Sequence, residues 1–535
     1  MASLDPKLTT SLFDQGAPET FIGPRPHAFN AAAYCVSRPA QTHPDKTALI
    51  VVSDPVSLEP AERWSYAQLD DAIRRLAAGL KHMGLQPGER VMLRLGNHST
   101  FPLMFFATLA AGGIAVPTSS QLTGREARFI SEDCGARFIC TSRDLHLDTQ
   151  PDGCGQLLED DIRDLMTGDD RADYAPTYAD DPAYIVYTSG ATSRPKGVLH
   201  AHRAVWARRM MYEGWYGLSN TDRMLHAGAF NWTYTLGAGL MDPWAVGACT
   251  IIYNGEKDPG VWPRLADKHK ATLFAAVPSL YRQMLKYADH IAEGFAHLRH
   301  GLTAGEKLSE AVRDNWRNAT GKPLYEALGM SECSTYASSA PLVPIKPGFT
   351  GRPQLGRRVA VLSLEDASTE TVPINQPGLL ALHKDDPGLM LRYWNLDAET
   401  RAAFRGDWFL TGDMAALDED GYLQYLGRAD DLMNAQGYRV APQDVEDVLI
   451  HHPGVHECAC AEIQVRDDLS LIGAFIVAEA HVEVTADDLA GFAAERLAAY
   501  KVPKQFVFVD ALPHTPTGKV LRRELPALFT RIKQA

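Results

Sequence analysis

The chain has 535 residues, 45% of them hydrophobic and 22% charged, with a net charge of −14. That length exceeds one compact core and predicts two or more domains, while the acidic balance, without any block of Lys and Arg, excludes a nucleic-acid footprint. The first residues, Met1 to Leu8, lack a charged-then-apolar signal pattern, and the longest apolar stretch, Phe101 to Pro117, is interrupted by Gly112-Gly113 and too short to span a bilayer.

Residues 1–45 show little periodicity beyond a short helix near Asn30–Val36. Ser65 and Gln68 then fit a capping box ahead of Leu69, Ile73, Leu76, Leu80 and Met83 at helical spacing. Arg90–Leu95 reads as a strand, Phe101–Ala111 as a helix, Ile114–Pro117 as a strand, Gly124–Asp133 as a helix and Ala136–Thr141 as a strand. This alternation predicts an α/β fold with largely parallel sheets. Residues 142–180 are acidic and irregular and read as a surface excursion, and His200 to Tyr212 reads as helical. His200-Ala-His202 has no third ligand at a telling distance and is not read as a metal site. An aromatic, glycine-bearing run, His226 to Tyr234, precedes an apolar helix at Leu236–Val246. Leu273–Pro278, His300–Glu306 and Leu324–Glu332 each read as a strand ending in a helix start or polar turn, which is what a crevice at the carboxyl edge of a parallel sheet requires. Beyond about residue 350 short strands with Gly and Pro turns take over. From Asp430 the order β, α, β, β, α, β and a basic tail predict a small separate α+β domain. The eight cysteines lack metal-like spacing, Cys458 and Cys460 alternate along a strand, and all read as reduced thiols of a cytoplasmic protein.

The most informative stretch is Tyr187 to Gly197. A β-prone run, Ala183–Thr188, leads into residues that are mostly Gly, Pro or hydroxyl carriers, and Val198-Leu199 resumes the apolar pattern. Gly190 lets the backbone approach an anion, successive N–H groups form a concave nest, Thr188, Ser189, Thr192 and Ser193 can donate, and Lys196 adds a point charge. The spacing departs from Gly-x-x-x-x-Gly-Lys-Ser/Thr, because Pro195 precedes Lys196 and Gly197 follows it. It is a polyphosphate loop of another kind.

Five pieces in order, Thr188–Gly197, Gly329–Glu332, Leu410–Asp413, Gly427–Arg439 with Val445-Glu446, and Pro513–Lys519, resemble the adenylate-forming superfamily of acyl-CoA synthetases, peptide-synthetase adenylation domains and luciferases. Leu240–Cys249 resembles the medium-chain group, and the whole is most like medium-chain or aryl acyl-CoA synthetases. The resemblance implies a large α/β domain (residues 1–429) and a small mobile α+β domain (residues 430–535). It implies an AMP-forming carboxylate–CoA ligase that uses ATP, Mg2+ and coenzyme A, joining a small carboxylic acid to CoA through an acyl-adenylate. A carrier-loading adenylating enzyme and a non-catalytic ligand-binding relative are the alternatives, and monomer or homodimer stays open.

Residue by residue, the resemblance implies that Lys196 holds the β- and γ-phosphates, Ser331 donates to the α-phosphate, and Glu332 with Thr188 holds Mg2+. Gly305, Glu306 and Lys307, with Glu326, Ala327, Leu328, Gly329 and Met330, wall the adenine; Asp413 and Arg428 take the ribose. Lys519 bridges carboxylate and α-phosphate, Arg439 reaches phosphate during thioester formation, Asp430 is the hinge and Gly437 lines the CoA tunnel. Ala191, Ser193 and Leu328 depart from the family pattern; Ser193 must adopt a backbone conformation glycine adopts more cheaply, and Leu328 weakens adenine stacking. Gly329 stands where acetate-specific members carry tryptophan, so the acyl pocket is expected to have an open floor. Phe230, Trp232 and Tyr234 would be its apolar walls, suited to a medium-chain, branched or aromatic monocarboxylate.

Overall fold

The computed structural model describes residues 18–534 except 146, 148–149, 189–193, 366, 432, 436–437, 441, 467–468 and 515–519. Two compact units divide it: one holds the described residues up to Val359 together with Leu382–Phe409, the other Ala360–Ala381 and the chain from Leu410 on.

The first unit is built on two sheets. In the seven-stranded sheet, Ile114–Pro117, Arg90–Arg94, Ala136–Thr141 and Gly155–Leu158 run parallel, and Pro182–Thr188 joins them parallel to Ile114–Pro117. Lys196–Ala201 folds back antiparallel on Pro182–Thr188, and Arg392–Tyr393 adds an antiparallel edge to it. The nine-stranded sheet is parallel from Thr47–Val52 through Cys249–Tyr253, Arg223–His226, Leu273–Ala276 and His300–Ala304 to Leu324–Met330. Antiparallel strands close both of its ends. Strands buried on both faces need near-continuous apolar runs, and Leu273–Ala276 and Ile114–Pro117 are buried throughout.

Local chemistry explains the helices. Ser65 accepts from Gln68 N and Gln68 caps back, starting the helix Tyr66–His82, whose buried face carries Leu69, Ile73, Leu76 and Leu80. Thr123 and Glu126 repeat the device for Gly124–Asp133. Two expectations are corrected. Residues 142–180 are not wholly irregular: Gly155–Leu158 is an edge strand and Glu159–Met166 a helix, whose first turn takes the acidic residues Glu159, Asp160 and Asp161 that complement the positive helix end. The segment after the phosphate loop is a strand as far as Ala201, with helix only from Arg203, because Val198 and Leu199 continue the sheet's buried register.

In the second unit, Leu423–Arg428 pairs antiparallel with Trp408–Leu417. The chain then runs Met433–Ala435, Tyr438–Val440, helix Pro442–Leu449, Val455–Arg466, Leu469–Ala478, helix Ala486–Ala494 and Gln505–Phe508, which is the expected order with one strand more: two short antiparallel strands, not one, precede the first helix. The basic tail ends in a helix, Leu525–Gln534. Among the described residues no helix is long and apolar enough to cross a membrane.

One buried ion pair of the first unit fixes the chain after Leu324–Met330. Arg357 and Asp386 are both fully enclosed, 2.5 Å apart, and Arg357 also donates to Thr335 O at 2.9 Å. Removing one partner leaves a buried charge uncompensated, so Asp386→Ala should cost about 3–5 kcal/mol in urea unfolding, whereas Arg357→Met with Asp386→Leu should recover most of that loss.

Candidate active site

The antiparallel strand pair Pro182–Thr188 and Lys196–Ala201 sets Lys196 directly opposite Thr188. Tyr187 anchors the strand pair, its hydroxyl donating to Asp133 at 2.5 Å. Ser189, Gly190, Ala191, Thr192 and Ser193 lie outside the described residues. A Cβ at Gly197 would press on Ile185, Tyr187 and Trp394 at 3.0–3.1 Å, so a side chain there would need these neighbours to shift.

Beside this strand pair stands Glu332, in the turn that follows Leu324–Met330. Its carboxylate accepts from the Tyr393 hydroxyl at 2.8 Å, and its carbonyl accepts from Met390 N at 2.7 Å. The Lys196 ammonium lies 5.4 Å from the Tyr393 ring centre. A cation and a carboxylate from segments more than 130 positions apart thus share one tyrosine. Ser331 is held from the other side: its carbonyl meets His200 Nε2 at 2.8 Å, and the His200 ring stacks on Tyr184 at 4.7 Å. Burial lowers the His200 pKa to about 4, so the ring is neutral at ordinary pH and Nε2 carries the proton it donates.

The carboxyl edge of the nine-stranded sheet supplies the rest. Leu273–Ala276, His300–Ala304 and Leu324–Met330 are adjacent and parallel, and their turns open at one edge. Gly305, at φ +93°, makes the turn after His300–Ala304, a conformation costly for other residues. Glu306 accepts from Ser279 N and Oγ, both at 3.2 Å, tying two strand ends together, and Lys307 is exposed. Glu326 is pinned inside, accepting from Leu308 N at 2.9 Å and Arg313 at 3.1 Å, and burial raises its pKa to about 7. Ala327 packs with Leu302 and Ala304. Glu326 and Ala327 keep their side chains inside, while Leu328, Gly329 and Met330 are half-buried at the strand end.

The residues expected as acyl walls are placed differently from one another. Phe230 is 1% exposed and stacks on Phe101 at 5.4 Å, so it belongs to the core. Tyr234 donates to Leu302 O at 3.2 Å, with its ring between Trp215 and His226. Trp232 is half-buried at the start of the helix Thr233–Leu236. At Gly329 a Cβ would meet Thr335 Cα at 2.6 Å and Ser334 O at 2.7 Å, so a side chain there would need the facing backbone to move.

In the second unit Asp413 is 5% exposed and faces Arg428 in register, with Arg428 Nη1 3.2 Å from Asp413 Oδ1 and 2.8 Å from Thr411 O. Gly412, at φ +75°, lets that guanidinium close over the backbone. Glu446 is buried in a 2.5 Å pair with Arg522 and accepts from Cys460 N. Arg439 lies in the strand Tyr438–Val440 and Asp430 in the turn Ala429–Asp431. Their side chains, and Gly437 and Lys519 altogether, lie outside the described residues. Tyr393 and Ser279 escaped the sequence reading, and His200 was weighed there only as a metal ligand, because each acts through a partner distant in sequence and no local spacing marks it.

The AMP-binding enzyme profile matches residues 36–394, and its C-terminal domain profile matches residues 444–519. A 3-hydroxybenzoate–CoA ligase of Aromatoleum sp. (strain CIB) is 29% identical, with 90% of this chain and 94% of the relative covered. A benzoate–CoA ligase of Thauera aromatica is 31% identical, covering 88% and 92% respectively. The crystal structure of an anthranilate CoA ligase in complex with anthranoyl-AMP superposes with a TM-score of 0.85 at 27% identity, over 95% of this chain and 99% of that one.

His200 also yields a pH prediction. Its folded pKa lies near 4, below the unfolded 6.5, so the unfolded chain binds the extra proton first and stability falls as pH drops from 6.5 toward 4. His200→Gln can keep the bond to Ser331 O, and its unfolding free energy should lose less on acidification, by about 1.4 kcal/mol per pH unit. Parallel pH–stability curves for the two proteins would count against a neutral buried ring.

Proposed function

The chain belongs to the AMP-binding enzyme family and is an ATP-dependent acyl-CoA synthetase that uses Mg2+ and coenzyme A; on that premise we propose that its acid is an aromatic or medium-chain monocarboxylate. The acid's carboxylate attacks the α-phosphorus of ATP, pyrophosphate leaves, and the CoA thiol then displaces AMP from the acyl-adenylate. Phosphorus offers little opening for covalent help, so positioning and charge neutralisation supply the rate.

The observation that carries this reading is the Lys196–Tyr393–Glu332 arrangement beside the strand pair Pro182–Thr188 and Lys196–Ala201. Lys196 and the hydroxyls of Thr188, Ser189, Thr192 and Ser193 hold the β- and γ-phosphates, and Ser331 donates to the α-phosphate. The donor set of Glu332 and Thr188 is all hard oxygen, which fits Mg2+ that fills the rest of its shell with phosphate oxygens and water. Among the described residues no cluster of three acidic, His or Cys side chains could hold a metal unaided. Bound there, Mg2+ would supply charge neutralisation on the phosphate oxygens. Tyr393 orients the Glu332 carboxylate, and His200 fixes the Ser331 backbone. Gly305, Glu306, Lys307 and residues 326–330 border the adenine; Asp413 and Arg428 take the ribose. Lys519 neutralises both anions as they meet, Arg439 serves the thioester step, Asp430 is the hinge of a mobile domain spanning residues 430–535, and Gly437 lines the CoA path. The cytoplasm, where all eight cysteines remain thiols, is its place of action.

The aryl half of the proposal leans on the benzoate and hydroxybenzoate relatives, and the medium-chain half on the Leu240–Cys249 segment. A coupled AMP-release assay on acetate, butyrate, hexanoate, octanoate and benzoate should place acetate last; acetate as the best acid would refute the proposal. Lys519→Ala should lower acid-dependent pyrophosphate release by roughly 10²–10³-fold while sparing conversion of supplied acyl-AMP to acyl-CoA. Equal loss in both half-reactions would reassign Lys519.

A further inference from the structure

A charged pair lies inside the first unit, apart from the phosphate-binding residues. Arg208 is 4% exposed and Asp242 is 0% exposed. Arg208 Nε and Nη2 grip the two Asp242 oxygens at 2.7 and 2.6 Å, Nη2 also lies 3.3 Å from the Tyr216 hydroxyl, and Nη1 donates to Ser334 Oγ at 2.5 Å. Tyr216 donates to Asp242 Oδ2 at 2.9 Å. Guanidinium has five N–H donors, so these contacts leave Nη1 one N–H without a partner among the described residues. The fold makes room for the pair: any Cβ at Gly237 would collide with the guanidinium. Two wide π turns, Tyr212–Tyr216 and Gly237–Met241, bring Tyr216 and Asp242 to it, and such turns recur at functional sites. Ser334 is held at φ +66°, with its hydroxyl on Nη1.

Arg208, Ser334, Thr233, Met241, His200 and Ser331 line one narrow cavity, with room for about one water molecule. The cavity is bounded at once by Ser331, assigned to the reacting phosphate, and by a donor of Arg208. We propose that Arg208 and Ser334 are specificity-determining residues, and that the cavity receives a hydroxyl substituent of the acid, selecting hydroxylated acids over their plain hydrocarbon counterparts. The hydroxyl oxygen accepts from Arg208 Nη1, and its proton goes to Ser334 or Thr233. A second carboxylate is not the guest: Asp242 already neutralises Arg208 with a two-pronged contact, so the site presents a donor and no net positive charge. A cavity the size of one water also fits a hydroxyl and not a carboxylate.

This inference rests on the ligase reading above. The test compares kcat/KM for benzoate with that for each of its three monohydroxy isomers, in the full-length protein and in two variants. The protein should favour at least one hydroxybenzoate by about 10-fold or more, since a site built to hydrogen-bond a substituent discriminates against its absence. Arg208→Met with Asp242→Leu, which removes the pair without stranding a charge, should cut that ratio by about 10-fold; Ser334→Ala should cut it in the same direction by a smaller factor. The ratio is read within each protein, so a merely structural loss does not move it, and Ser334→Ala keeps the test alive if the double variant fails to fold. Benzoate preferred by the unmodified protein, or an unchanged ratio in the folded variants, overturns the proposal. Turnover of alkanoates alone overturns it while leaving the ligase reading intact, and AMP release with no acid at all overturns both.

Discussion

A carboxylate and a triphosphate repel each other, and everything in the first unit's site answers that repulsion. Two unit charges of like sign 4 Å apart oppose one another by about 4 kcal/mol at an effective dielectric constant near 20, and by far more where water is excluded. A few kcal/mol is a factor of 10² or more in rate. On the proposed roles Lys196 would supply the cation and Glu332 an oxygen for a divalent ion, and Tyr393 stands between them. The sheet makes this geometry reproducible. Register places Lys196 opposite Thr188, and Arg392–Tyr393 pairs with Lys196–Ala201, so the tyrosine arrives on the same strand edge as the lysine it faces.

The interior around this site is kept neutral. His200, His202, His226 and His300 are buried, with pKa values pushed down to about 4, 4, 3 and 4 by desolvation. Each spends its ring on short-range bonding instead of charge: His200 on Ser331 O, His202 on Ala31 N, His226 on Gly228 N and His300 on Tyr216 O. The buried charges that remain are paired, as in Arg208–Asp242, Arg357–Asp386 and Arg313–Glu326. Such pairs specify geometry more than they add stability.

Much of this was legible from residue order. The strands Ile114–Pro117 and Ala136–Thr141 and the helix Gly124–Asp133 have the bounds that apolar spacing and capping residues predict, because their signals are local. The three strand ends carrying Gly305, Glu306 and Ser331-Glu332 were also readable, since small and acidic residues after apolar runs mark a sheet's carboxyl edge. What local pattern could not show was direction. Phe230 and Trp232 are aromatic neighbours, yet one is locked against Phe101 and the other is half-buried. Gly329 reads as absent bulk in a pocket, and the facing backbone of Ser334 and Thr335 is what a side chain there would have to move. Tyr393, Arg208 and Asp242 went unread for the same reason: each matters through a contact with a residue tens to hundreds of positions away.

An acyl-adenylate forms only if the acid's own oxygen attacks the α-phosphorus of ATP. Turnover with a carboxylic acid labelled with 18O in both oxygens, followed by mass spectrometry of the nucleotide product, tests it directly. One labelled oxygen should appear in AMP and none in pyrophosphate or phosphate. Label in inorganic phosphate, or AMP free of label, would contradict that attack.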